Sequence, residues 1–176
     1  MSTEKYAANV ALMRENARKH IEAGPITETY ELDKTNVIDM LNEALATEIV
    51  CVLRYRQCYY MCTGKTAEPV AQEFMEHSIQ EQEHADSLAT RISQLGGVPK
   101  MDPGSVNDRS HSEFIVPEDV DEMIKENLIA ERVAIDSYRD MISFIGEKDP
   151  TTKRVLEQIL AVEEEHADDL VDLMGL

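Results

Sequence analysis

The chain has 176 residues, of which 35 are Asp or Glu and 17 are Lys or Arg, a formal net charge of -18. That length suits one domain with a sizeable core, and a surface of that sign repels phosphate, so nucleic acid and membranes are not expected as partners while cations are. Seven Gly, six Pro and no Trp fit helices better than a turn-rich sheet protein, and the chain has neither a membrane-length apolar run nor a signal-peptide core at its start, so a soluble, cytoplasmic, all-helical protein is expected.

Residues 5–23 predict a short amphipathic helix with Tyr6, Val10, Met13, Ala17 and Ile21 in one row, ended by Gly24-Pro25. Its Lys5, Arg14, Arg18 and Lys19 are nearly balanced by Glu4, Glu15 and Glu22, which suits a packing or subunit-contact helix better than a DNA-binding arm. Residues 25–32 read as a linker. The chain thus divides into an N-terminal helix and linker, 1–32, and a helical bundle, 33–176.

The first long helix is predicted to start at the N-cap Asp33, with Leu32 and Val37 placed as a hydrophobic staple, and to stop at Thr63-Gly64. Its inward row is Val37, Leu41, Ala44, Glu48, Val52, Tyr55, Tyr59, Cys62. Cys51, Cys58 and Cys62 on the same helix make no disulfide framework and fit a reducing compartment. As small hydrophobes they need no further role, although Cys51, three residues after Glu48, is in register to face whatever Glu48 faces.

The second helix is predicted from about Thr66–Pro69 to Gly96-Gly97, with the inward row Val70, Phe74, His77, Glu81, His84, Leu88, Ile92, Leu95. Residues 100–116, with turn signals at Pro103-Gly104 and Asn107-Asp108, are too long for a hairpin link and predict a crossover along the bundle. The third helix opens at Pro117, with the row Val120, Ile124, Leu128, Glu131, Ile135, Tyr138, Ile142, Ile145, and ends at Gly146. Asp149-Pro150 caps the fourth, whose row is Leu156, Ile159, Glu163, His166, Leu170, Leu173.

Every inward row carries acid at its centre. Glu81 and His84, like Glu163 and His166, are three apart and share a helix face. The lone Glu48 precedes the first pair by 33 residues and Glu131 precedes the second by 32, so the chain reads as two similar halves. A single Glu-x-x-His in so acidic a chain is weak evidence, but the pattern repeats on matched helices. Four buried carboxylates must be protonated or neutralised, because an unpaired buried ion costs several kcal/mol. Two divalent cations would neutralise them, with the imidazoles as further ligands; oxygen and nitrogen donors suit iron or manganese and not a structural zinc site. One Glu from each of two helices and Glu-x-x-His from each of two others is a recipe for dinuclear carboxylate centres.

On these residues the chain resembles the ferritin-like superfamily, and within it bacterioferritins and Dps-like ferritins, over about residues 33–173. The resemblance implies a four-helix bundle with a long crossover between helices two and three, preceded here by the N-terminal helix. It implies Glu48, Glu81, His84, Glu131, Glu163 and His166 as ligands of two iron ions per subunit, with Glu81 and Glu163 bridging, and manganese as an alternative metal. It also implies that Tyr55, seven residues after Glu48, donates to a ligand. Where bacterioferritins carry the haem-ligating Met, this chain has Gln82, so haem is not expected. The chain ends ten residues after His166, without the fifth helix of those proteins, which together with the N-terminal helix points to a twelve-subunit Dps-like cage with an intra-subunit centre.

The function implied is a ferroxidase that oxidises ferrous iron with dioxygen or hydrogen peroxide and stores the ferric product, protecting against oxidative stress. The alternative is a non-storing di-iron or di-manganese peroxidase or catalase-like enzyme, against which the absence of a Cys-x-x-Cys module counts. Cys51 as an electron shuttle and His77 as a ligand stand beside plainer readings of both as core residues.

Overall fold

The computed structural model describes residues 6–64 and 67–175; Lys5 and Thr66, where two helices were predicted to begin, lie outside them. The elements, in chain order, are helix α1 (Val10–Asn16), a 3-10 turn (Ile21–Ala23), α2 (Lys34–Met61), α3 (Glu68–Gln94), α4 (Pro103–Arg109), α5 (Val120–Ile145) and α6 (Pro150–Leu173). Helices α2 and α3 pair along their lengths, α5 and α6 do the same, and the hairpins meet through α3 against α6 and α2 against α5. No described helix is long and apolar enough to cross a membrane.

Local chemistry sets the helix boundaries. Asp33 accepts from the backbone of Thr35 and Asn36 at the start of α2, Asp119 does so for Asp121 and Glu122 at α5, and Asp149 for Thr152 at α6. The inward rows are buried, or half-buried at Tyr59, Cys62, Val70, Val120, Leu128, Ile142 and Leu173, and contribute to one apolar cluster around Leu41, Leu45, Leu88, Ile92, Tyr138 and Leu156 and another around Tyr55, Phe74, Met123 and Leu170. The band between the two holds the polar residues of the rows.

Besides the start of α5, which the Asp119 cap sets at Val120 and not at Pro117, two expectations need correction. The N-terminal helix spans only Val10–Asn16, and Tyr6, Val10, Leu12, Met13 and Ile21 are exposed. Among the described residues its apolar row packs on no other helix, and seven residues cannot sustain a helix through intrinsic propensity. The second concerns 100–116, where Pro103-Gly104 opens α4 instead of a turn, because proline is favoured in the first helical turn.

The crossover is fastened to α2 along its course. The Asn42 side chain accepts from Lys100 N at 2.7 Å and donates to the carbonyls of Ile38 and Val98. Arg109 donates to the carbonyls of Asn42 and Lys100, His111 N to the Thr47 hydroxyl, and Arg54 Nη1 to the Glu113 carbonyl. Side chains from 42 to 54 thus carry the connection from one hairpin to the other.

Candidate metal centre

The six predicted residues arrive from four helices: Glu48 from α2, Glu81 and His84 from α3, Glu131 from α5, Glu163 and His166 from α6. The structure brings all six together and buries them, His84 being 7% exposed and the others 1% or less. Their donor atoms fall into two overlapping groups, Glu48, Glu81, His84, Glu163 and Glu81, Glu131, Glu163, His166. Glu81 and Glu163 belong to both.

The atom pairing is symmetric. His84 Nδ1 lies 3.4 Å from Glu48 Oε2, 3.4 Å from Glu81 Oε2 and 3.1 Å from Glu163 Oε1. His166 Nδ1 lies 3.6 Å from Glu81 Oε1, 3.9 Å from Glu131 Oε2 and 3.5 Å from Glu163 Oε2. Each shared carboxylate turns one oxygen to each imidazole. None of these eight atoms has a hydrogen-bond partner although all are buried, a condition that native interiors avoid unless an ion or a proton satisfies it. They amount to three oxygens and one nitrogen for each of two cations, a donor set that fits ferrous iron or manganese.

The remaining atoms of the terminal acids are held across the two halves of the chain. Tyr55 of the first half donates to Glu131 of the second, and Tyr138 of the second donates to Glu48 of the first. Each tyrosine follows a central glutamate by seven residues. Sequence reasoning singled out Tyr55 and left Tyr138 among core residues; the repeat itself carried the missing signal. Gln80 Oε1 lies 2.7 Å from His166 Nε2 and accepts its proton, which leaves Nδ1 free to face the acids.

Without metal, protons do the neutralising. Burial first, and then the neighbouring Glu81, push Glu48 up to about 8; burial, Glu48 and Glu131 raise Glu163 to about 7. Burial opposes charge on the imidazoles too, but the surrounding carboxylates override it, lifting His166 to about 12 and His84 higher. Burial likewise opposes the ionisation of Glu131, yet its contacts with His166 hold it down at about 2. Between pH of about 4.5 and 8 the folded chain therefore binds more protons at Glu48 and Glu163 than the unfolded chain does, and above about 6.5 the same holds for the histidines. Stability must fall as pH rises through that window; below about 6.5 His77, which folding lowers to about 4, offsets part of the fall, and the contribution of Glu131 is nearly complete there. Chelated protein is expected to lose several degrees of melting temperature between pH 5.5 and 8, and manganese to restore them; a flat or rising profile without metal would contradict the assignment.

Two candidates sit beside the centre. Cys51 is outside both donor groups; its Sγ accepts from Arg54 Nη2 at 3.8 Å, and burial keeps the thiol well above its usual range, so it offers no thiolate. Sequence reasoning missed the fully buried Arg54, whose Nε donates to Asn127 Oδ1. His77 stacks on His166 with ring centroids 4.0 Å apart. Burial, then the charge on His166, lower it to about 4.

A four-helix bundle with a buried centre of four carboxylates and two imidazoles is the class that fold and geometry define. The chain belongs to the ferritin family: residues 38–176 match the Ferritin-like domain. It is similar to the bacterioferritin of Brucella melitensis, with 31% identity over 143 residues covering 80% of this chain and 83% of that protein. It is also similar to the DNA protection during starvation protein of Pyrococcus furiosus, with 26% identity over 144 residues covering 80% and 78%. Among solved structures, a dodecameric thioferritin of Bacteroides fragilis, described as bacterioferritin-related, superposes with a TM-score of 0.78 at 34% identity, covering 82% of this chain and 87% of that one. Dps from Thermosynechococcus elongatus, at 20% identity and a TM-score of 0.76 over 80% and 91%, shares the fold.

Proposed function

We propose that this protein oxidises ferrous iron at Glu48, Glu81, His84, Glu131, Glu163 and His166 and stores the ferric product in a homo-oligomeric cage. The observation that carries this reading is the division of eight unpartnered buried donor atoms into two matched sets of four, with Glu81 and Glu163 common to both. Ferrous ions are substrate as well as ligand-bound cations. Two held side by side can each give up an electron to one dioxygen or peroxide molecule, and three oxygens and one nitrogen per ion leave coordination positions for that oxidant.

The chain's own groups prepare the step. Ions entering displace the protons held by Glu48, Glu163 and the two histidines, and the tyrosines keep Glu48 and Glu131 oriented while this happens. The excess of acid over base in the chain draws cations by focusing potential, an effect that salt weakens. The bacterioferritin relatives support iron storage, and the dodecameric thioferritin neighbour supports a twelve-subunit shell.

Size exclusion with light scattering after aerobic loading with excess ferrous iron tests storage against the alternative. A particle of about twelve chains carrying many irons per chain is expected. A small oligomer with about two metals per chain would replace the storage reading by that of a di-metal peroxidase or catalase-like enzyme.

A further inference from the structure

The two halves of the centre are matched at Glu48 and Glu131, Tyr55 and Tyr138, Glu81 and Glu163, His84 and His166, and the match ends on one flank. Four residues before Glu81 stands His77, where the other half has Ile159. Eight before it stands Glu73, where the other half has Val155, and three after His166 stands Asp169, where the first half has Ser87. One flank is apolar apart from a serine; the other carries two acids and an imidazole.

Those three side chains converge. His77 Nε2 lies 3.2 Å from Glu73 Oε1 and 3.6 Å from Asp169 Oδ2, with the imidazole 1% exposed and the acids 31% and 44%. The hydrogen bonding behind the ring fixes which nitrogen carries the proton. Tyr55 gives its only proton to Glu131, so at 3.2 Å its oxygen must accept from His77 Nδ1. The lone pair of Nε2 is then left pointing at two carboxylates, and that atom is buried without a hydrogen-bond partner. A metal ion can accept that nitrogen and one oxygen from each acid, since the three donor atoms lie within 4.8 Å of one another.

We propose that Glu73, His77 and Asp169 form a third divalent-cation site, on the Tyr55 flank of the centre and open to solvent through its two acids. It shares no residue with either four-residue group, although its His77 also comes within ligand distance of Glu131 and His166 and so borders the paired site. Its place as a loading position for iron rests on the function proposed above; its existence as a binding site does not. An ion there would be linked to the pair through the His77 ring stacked on His166 and through the Tyr55 hydroxyl bonded to Glu131.

Anomalous diffraction from crystals of the full chain equilibrated with manganese alone tests this directly. Three peaks per chain are expected, two among the six central residues and one among Glu73, His77 and Asp169. The double variant Glu73→Ala/Asp169→Ala, which alters only partly exposed side chains, should lose the third peak and keep the pair. Two peaks in the wild-type chain, or a third that survives in the double variant, would overturn the proposal and leave the central site intact. A third peak without the pair would instead refute the reading of the centre while supporting this one.

Discussion

Glu163→Gln is expected to slow the rapid oxidation of ferrous iron by about 100-fold or more, because even groups behind a metal's ligands cost 10–100-fold when removed and Glu163 faces both imidazoles. The same change should not destabilise the metal-free protein at pH 8. There the wild-type chain must either ionise a carboxyl that burial, Glu48 and Glu131 have pushed up to about 7, or hold it protonated against the solution; an amide of the same shape avoids both. Chelated Glu163→Gln should therefore melt at or above the wild-type temperature at pH 8, and the rise in melting temperature caused by manganese should shrink. Loss of activity with a large loss of metal-free stability would mean that Glu163 is a structural residue whose removal damages the bundle.

The second large effect is expected at the opposite kind of polar cluster, one that is complete without a metal. At the end of the bundle, Arg91 Nη2 lies 3.0 Å from both oxygens of Asp149, the Thr152 hydroxyl donates to Asp149 at 2.6 Å, and Tyr30 OH does so at 3.1 Å. This ties α3, the start of α6 and the linker before α2 together. Arg91 and Asp149 are 5% and 3% exposed, and removing one partner of a buried pair costs about 3–5 kcal/mol. Asp149→Ala also deletes the cap of α6, worth about 1 kcal/mol. Denaturant unfolding of this variant should show a loss of about 4 kcal/mol or more; a change below about 1 kcal/mol would show that water already reaches the pair. Asp149→Asn, which keeps the cap, should recover part of the loss.

These clusters differ in how far the sequence announces them. Glu48, Glu81, Glu131 and Glu163 stand out because each interrupts an apolar row at helical spacing, and the two halves repeat the pattern, so burial and convergence are consequences of periodicity. Asp33 and Asp149 are legible as caps because each immediately precedes a long helical row. Arg91 is not: it lies beside the inward row of α3, and nothing local distinguishes an arginine that pairs with an acid 58 residues away from one in solvent. Glu73 and Asp169 are hidden for the same reason, as ordinary members of acidic helices until the fold sets them against His77. Helix α4 was hidden because a proline and a glycine mark a helix start and a turn with the same letters. The N-terminal helix shows the converse: its apolar row is legible, but periodicity does not supply a packing surface, and Val10 and Met13 remain exposed.

On the function proposed above, these six residues hold two ferrous ions together and oxidise them as a pair. Stopped-flow mixing of the metal-free protein with increasing ferrous iron in aerobic buffer, tracked by ferric absorbance, tests it most directly. The fast phase should grow in proportion to added iron, saturate at two ions per chain, and vanish in Glu81→Ala and His166→Ala proteins that still assemble. Saturation at one ion, or an unchanged fast phase in both variants, would contradict the claim.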